Sequence, residues 1–227
     1  MQKEQVREQY KTFQTVWFIA LVALAAAVIV GDILLRLPRN SIWRPPLYAV
    51  VIIPLALILL YLVTIRPERA TWSYYGITAH HSLKHAGVGI VLGLGAVIVA
   101  LVVTIFQFGY FPNPREDVLM HMIASGIAAP LWEELLFRGM LFASLLGLIQ
   151  VRWQGKERLV ALLLAYVVIN VLFLTTHIGT SNLPVIYLTG FFYLVAFHMT
   201  GSLFAAIAAH STYNLILEAV ALFLDSF

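Results

Sequence analysis

Residues 16–35 read VWFIALVALAAAVIVGDILL, a run of 20 residues with one charge, Asp32. As an α-helix such a run is about 30 Å long, which matches the hydrocarbon thickness of a bilayer. Lipid offers no partner for backbone N–H and C=O groups, so only helices and closed barrels cross it. The run is continuously apolar, where a barrel strand would alternate, and it therefore predicts a membrane helix. Six more runs follow, at about 47–65, 86–106, 118–148, 159–176, 183–197 and 203–224. The fourth is too long for one straight crossing, near 46 Å by the helical rise. It also contains Pro130, which lacks an N–H and crowds the preceding turn. A break near Pro130 is predicted, with a second helix starting near Leu131.

The rest of the composition agrees. The chain of 227 residues is 61% hydrophobic and 11% charged, with a mean hydropathy of +0.90, against about half and a quarter in soluble domains. The fold class is all-α, a polytopic membrane helix bundle of about seven transmembrane helices. Connections such as 36–46 are short and no internal repeat is visible, so residues 1–227 are read as one integral membrane domain with the lipid bilayer as its surroundings. The net charge is +3 and the basic residues lie scattered in short loops, which argues against a nucleic-acid partner. The absence of cysteine excludes disulfides, thiolate zinc sites and a cysteine nucleophile. The polar N-terminal segment MQKEQVREQYKTFQ does not read as a cleaved signal peptide. With seven spans, one face carries nine Lys and Arg (3, 7, 11, 66, 69, 84, 152, 156 and 158) and the other carries Arg36, Arg39, Arg44 and Arg115. The positive-inside rule then predicts a cytoplasmic N-terminus and an external C-terminus. Nothing in the sequence specifies an oligomeric state.

An ionised side chain at the bilayer centre costs at least about 2.5 kcal/mol, so ionisable residues inside spans are functional candidates. They cluster in three segments. In Leu131-Trp132-Glu133-Glu134-Leu135-Leu136-Phe137-Arg138, Glu134 and Arg138 are four apart and share a helix face as an ion pair. Glu133 points about 100° away, free to face an interior cavity as a base. In Phe173-Leu174-Thr175-Thr176-His177 the histidine ends the fifth span, with Asn170 seven residues earlier on the same face. In His210-Ser211-Thr212-Tyr213-Asn214 the first and last residues are one turn apart, so their donors are predicted to converge as an oxyanion site needs; Glu218 continues that stripe. Together these residue types suit water activation and stabilisation of a tetrahedral intermediate, and they point to hydrolysis.

The three segments resemble the CAAX protease and bacteriocin-processing (CPBP) family of glutamate intramembrane endopeptidases. Its pattern of EExxxR, FxxxH and HxxxN or HxxxD is matched in order by Glu133-Glu134-LLF-Arg138, Phe173-LTT-His177 and His210-STY-Asn214. The likeness covers roughly residues 129–218, within a catalytic core at about 117–224. The resemblance implies that Glu133 activates the attacking water with help from His177. It further implies that His210 and Asn214 form the oxyanion hole, that Glu134 and Arg138 orient the site, and that no metal or other cofactor takes part. The partner would be a membrane-tethered protein or peptide. The family includes enzymes that trim prenylated CAAX termini from the cytosol and bacterial members that process exported proteins or confer bacteriocin immunity. Because the loop after His177 is external in the predicted topology, the site is expected to open outwards, which favours an exported substrate cleaved near a C-terminal anchor.

Other proteolytic mechanisms lack their residues. There is no HExxH and no GxSG, and Asp32, after Gly31, has no second intramembrane aspartate to pair with. A proton-coupled transporter or an immunity protein, with Glu133, Arg138, His177, His210 and Glu218 as a relay, is the non-enzymatic alternative. Several other residues read as structural. His80, His81 and His85 fit a solvated interface, and Trp43, Trp72, Tyr74 and Tyr75 an aromatic belt. Gly87, Gly89, Gly93 and Gly95 fit close helix packing, and His198 marks a span end.

Overall fold

The computed structural model describes residues 2–38, 41–67, 70–78, 82–108, 118–177 and 182–225. Arg39, Arg69, His80, His81, Arg115 and the loop at 178–181 lie outside the described residues. Seven helices are long and apolar enough to cross a membrane: α1 (Glu4–Ile33), α2 (Arg44–Ile65), α3 (Ser82–Thr104), α4 (Leu119–Arg152), α5 (Gly155–Thr175), α6 (Leu183–Thr200) and α7 (Leu203–Phe223). All regular structure among the described residues is helical, so the chain is a multi-pass membrane helix bundle. The polar N-terminal segment belongs to the first helix, which runs unbroken from Gln2 to Val28. Asp32, the one charge of the opening run, pairs with Arg44 at the start of α2. The same guanidinium holds the carbonyls of Leu37 and Pro38 at 2.6 and 2.7 Å, which ties the α1–α2 connection to the helix ends.

The break expected at Pro130 takes the form of a π-helical segment rather than an interruption. A π segment over Ala124–Ala128 precedes a short α segment, Ala129–Glu134, in whose first turn Pro130 lies. Because the helix continues through both segments, Pro130 removes a ladder N–H rather than one that a free helix start would leave unpaired. A second π segment, Leu135–Phe142, follows directly, with all eight residues buried. Such segments carry an extra residue per turn and concentrate at functional sites. Both lie in the helix with the deepest surroundings: 78% of the most apolar window of α4 is buried, against 22–39% in the other six. The bundle therefore wraps around α4, and the large exposed side chains of its neighbours, such as Phe18, Leu21 and Val50, face outward as lipid-contacting residues do.

α3 lies against α7 backbone to backbone. A Cβ on Gly89 would collide with the Ala205 carbonyl, and one on Gly93 would stand 2.5 Å from the Ala209 carbonyl. Gly95 faces the Phe192 ring of α6, and Gly87 has nothing within 4 Å. Close packing thus uses Gly89 and Gly93 on one face and Gly95 on another. Small residues that let backbones approach are the usual means of holding helices together in lipid, where no hydrophobic drive separates helix from solvent.

The α2–α3 connection corrects the aromatic-belt reading at one position. Trp43 is exposed, but Tyr75 is fully buried, and its hydroxyl bonds the Thr64 hydroxyl at 3.1 Å. Tyr75 ends a 3₁₀ turn, Trp72–Tyr75, and Gly76 closes it with φ 74°, a conformation open to glycine. The Gly76 carbonyl accepts the N–H of Leu203 at 2.9 Å, so this turn caps the start of α7 from the N-terminal face of the bundle.

Candidate active site

Adjacent carboxylates on α4 occupy different surroundings. Glu134 is fully buried, and its Oε1 takes two partners: Arg138 Nη1 at 3.1 Å and His210 Nδ1 of α7 at 2.8 Å. The four-residue spacing places Glu134 and Arg138 side by side, so the predicted ion pair is present. Arg138 reaches further, donating from Nη2 to the Gly190 carbonyl of α6 at 3.0 Å and lying 4.4 Å over the Phe173 ring of α5. One guanidinium thus joins α4, α5 and α6.

Glu133 is buried too, yet Arg138 does not hold it. Its Oε2 has no hydrogen-bond partner among the described residues and stands 3.9 Å from His210 Nε2, beyond direct hydrogen-bonding range. The two imidazole nitrogens of His210 therefore face different carboxylates. Its ring is fixed in plane: it stacks on Tyr193 at 4.4 Å and 12° and meets Phe173 edge-on at 5.8 Å.

His177 lies just beyond α5, with its ring 4.8 Å from that of Phe173. Its Nδ1 is 3.2 Å from the Phe173 carbonyl and 3.0 Å from the Thr176 hydroxyl. That hydroxyl itself donates to the Phe173 carbonyl, which leaves Nδ1–H as the donor and Nε2 as the bare nitrogen. Burial lowers the His177 pKa to about 4, opposed by the Phe173 hydrogen bond and reinforced by His210 and Arg138, so the imidazole is neutral at physiological pH. Phe173 is the common neighbour: Arg138, His177 and His210 all pack on its ring.

Asn214 points elsewhere. Its amide donates to the Ser125 carbonyl at 2.6 Å, inside the first π segment, where the ordinary helical ladder is interrupted. The structure thus bonds Glu134, Arg138 and His210 to one another, sets Glu133 3.9 Å from His210 without a hydrogen bond, and brings in His177 through Phe173. It holds Asn214 against α4, with one amide hydrogen engaged and one remaining. Glu218 lies eight residues, about 12 Å of helix, beyond His210.

Two supporting residues, Gly190 and Tyr193, had no clear sequence signal. A Cβ on Gly190 would collide with Asn170 Oδ1, and Asn170, fully buried, donates to the Tyr187 carbonyl. That close approach of α5 to α6 sets the carbonyl which Arg138 uses. Tyr193 is the platform under His210. His198, near the N-terminal face, bonds the Tyr166 hydroxyl at 2.7 Å, away from the cluster.

A polar, charged cluster is buried among the membrane helices, and a comparison with known families bears on what it does. Residues 115–216, the stretch that holds all three motifs, match the family described as Type II CAAX prenyl endopeptidase Rce1-like. That segment is similar to the Rce1-like family of CAAX-type intramembrane proteases, in agreement with the resemblance drawn from its motifs. No curated protein and no solved structure matches the chain.

Proposed function

We propose that this protein is a glutamate-type intramembrane endopeptidase that hydrolyses a peptide bond of a membrane-tethered protein or peptide beside its anchor. The observation that carries the reading is the contrast between neighbours: Glu134 is held through Oε1 by two donors and only its Oε2 is unbonded, while no donor among the described residues bonds Glu133 Oε2, which faces His210 Nε2 at 3.9 Å. A carboxylate kept in place but unengaged is what a general base requires. In this reading Glu133 takes a proton from water, and the bare Nε2 of neutral His177 helps to orient it. Asn214 and His210 stabilise the oxyanion, while Glu134 and Arg138 hold His210 and bind α4 to α6. No metal enters the scheme.

Similarity to the Rce1-like family favours a prenylated CAAX terminus as the first substrate to try, and the charge distribution of the loops favours an exported protein. Topology separates the two. The chain has no cysteine, so single cysteines at positions 154 and 179 can be labelled from outside intact cells. Labelling at 179 alone supports the external site; labelling at 154 alone reverses it. Access from the face opposite the N-terminus is supported by the Tyr75–Gly76 turn, which packs against Gly139 and Leu203 on the N-terminal side of the cluster.

The activity test is cleavage of a lipid-anchored peptide by the purified protein in liposomes, with new termini read by mass spectrometry. Wild-type cleavage that vanishes in folded Glu133→Ala supports the proposal, and full activity of that variant refutes the base assignment. Proton flux without hydrolysis would instead favour the transporter alternative. The separation of Glu218 from the cluster speaks against a continuous relay.

A further inference from the structure

The hydrogen bond between Glu134 and His210 determines which imidazole nitrogen carries the proton. Arg138 and Glu134 are both fully buried. A buried guanidinium keeps its charge, and losing its carboxylate partner there would be strongly unfavourable, so Glu134 is read as the ionised form. An ionised carboxylate only accepts, hence His210 Nδ1 donates to it across 2.8 Å. In a neutral imidazole the other nitrogen then bears the lone pair, and that nitrogen, Nε2, is the one 3.9 Å from Glu133 Oε2. Stacking on Tyr193 and the edge of Phe173 hold the ring in this setting. His210 at rest therefore presents an acceptor, not a donor, towards Glu133.

We infer that His210 is the proton carrier of the reaction, charged through Nε2 by Glu133 and discharged onto the leaving amine. The inference rests on the proposed role of Glu133. An O–H bond of water breaks, its proton bonds to Glu133, and the water oxygen bonds to the peptide carbon as the carbonyl becomes an oxyanion. Glu133 then passes that proton to Nε2, which needs a closing movement of about 1 Å to reach hydrogen-bond distance. The resulting imidazolium is balanced by Glu134 and becomes an N–H donor to the oxyanion beside Asn214. As the carbonyl re-forms and the C–N bond breaks, Nε2–H moves to the departing nitrogen. Glu133 and His210 return to their starting states, and the net change is addition of one water across the amide.

Two measurements test this. The first needs no turnover: ¹⁵N NMR of histidine-labelled protein in nanodiscs, with His210 assigned by its loss in His210→Ala. The proton is expected on Nδ1 at neutral pH in the wild type, and also in Glu134→Gln, whose amide oxygen still accepts it; a protonated Nε2 in the wild type would overturn the inference. The second compares one lipid-tethered peptide with an amide or a nitrophenyl ester at the scissile position. Nitrophenolate leaves without a proton, so His210→Ala should lose about 10²- to 10⁴-fold on the amide and at least about tenfold less on the ester. Asn214→Ala, which removes only an oxyanion donor, should lose equally on both. Equal losses for His210→Ala by an active enzyme would overturn the carrier alone, whereas a wild type that cleaves neither substrate would refute the hydrolase reading and the carrier with it.

Discussion

Replacing Gly93 with alanine places one methyl group where α3 and α7 meet backbone to backbone. That Cβ would stand 2.5 Å from the Ala209 carbonyl and 2.8 Å from Thr212 Cβ, where ordinary contact begins at 3.4 Å. The two helices must therefore part by about 0.9 Å, and neither near contact is the end of a flexible side chain that could turn aside. His210 is the residue after Ala209 and bonds Glu134 at 2.8 Å. A displacement of that size transmitted to the imidazole lengthens the bond to about 3.7 Å, beyond hydrogen-bonding range. Misplacement by about 1 Å costs roughly 10²-fold in rate, and overpacking costs about 1–3 kcal/mol in stability. Gly87 is six residues away on the same helix and meets nothing within 4 Å, so Gly87→Ala is the matched control and should behave as the wild type. The assay is kcat/KM for a lipid-anchored peptide in liposomes, alongside thermal unfolding in detergent. Gly93→Ala with wild-type kcat/KM, or Gly87→Ala with an equal loss, would refute the coupling of α3 packing to the site.

Among the site residues, Glu133→Ala and His177→Ala are each expected to abolish amide cleavage, His210→Ala to lower it by about 10²- to 10⁴-fold and Asn214→Ala by about 10²- to 10³-fold; mass spectrometry of product termini measures each. Glu134→Ala leaves the Arg138 guanidinium buried without its carboxylate and should destabilise the protein by about 3–5 kcal/mol. Glu134→Leu combined with Arg138→Met should recover most of that loss in thermal unfolding without restoring activity. The His177 pKa lies near 4 in the folded protein against an ordinary 6.5. The unfolded chain therefore takes up this proton first as the pH falls: the stability that neutral His177 contributes is complete above about 6.5 and declines towards 4. Unfolding measured across that range should show a shallower acid loss in His177→Gln, and an equal pH dependence would refute the assignment. Chelators should leave cleavage unchanged, as read in the same liposome assay.

The spans and the polar clusters were legible because both are one-residue properties read at fixed spacing. Lipid makes each apolar run of about twenty residues a helix, and burial makes each ionisable side chain within one conspicuous. The Glu134–Arg138 pair followed from helical periodicity alone. What was not legible depends on backbone meeting backbone. Gly190 is one of 14 glycines, and nothing local marks it as the one beside Asn170 whose carbonyl meets Arg138. The Ser125 carbonyl that takes Asn214 has no side-chain signature, and the convergence of His210 and Asn214 predicted from their spacing took no account of that competing acceptor. Tyr75 sits among aromatic residues of interfacial type, and its burial is seen only with the 3₁₀ turn that Gly76 closes.

Neighbouring residues of one chemical type, Glu133 and Glu134, therefore reach opposite fates through their partners rather than through their identity. A buried carboxylate that accepts two charge-assisted hydrogen bonds gains most by staying as it is, and Glu134 is in that position between Arg138 and His210. Moving a proton onto it would leave the guanidinium uncompensated, so it holds the site and fixes the imidazole. Glu133 has no such commitment at Oε2, and taking up a proton there leaves no other charge unbalanced. Arg138 draws the distinction by reaching one carboxylate and not the other. Its Nη1 and Nη2 bond Glu134 and the Gly190 carbonyl while Nε has no hydrogen-bond partner among the described residues, and exchanging the two roles would require the α4 backbone to turn by about 100°, which its packing against the surrounding helices opposes.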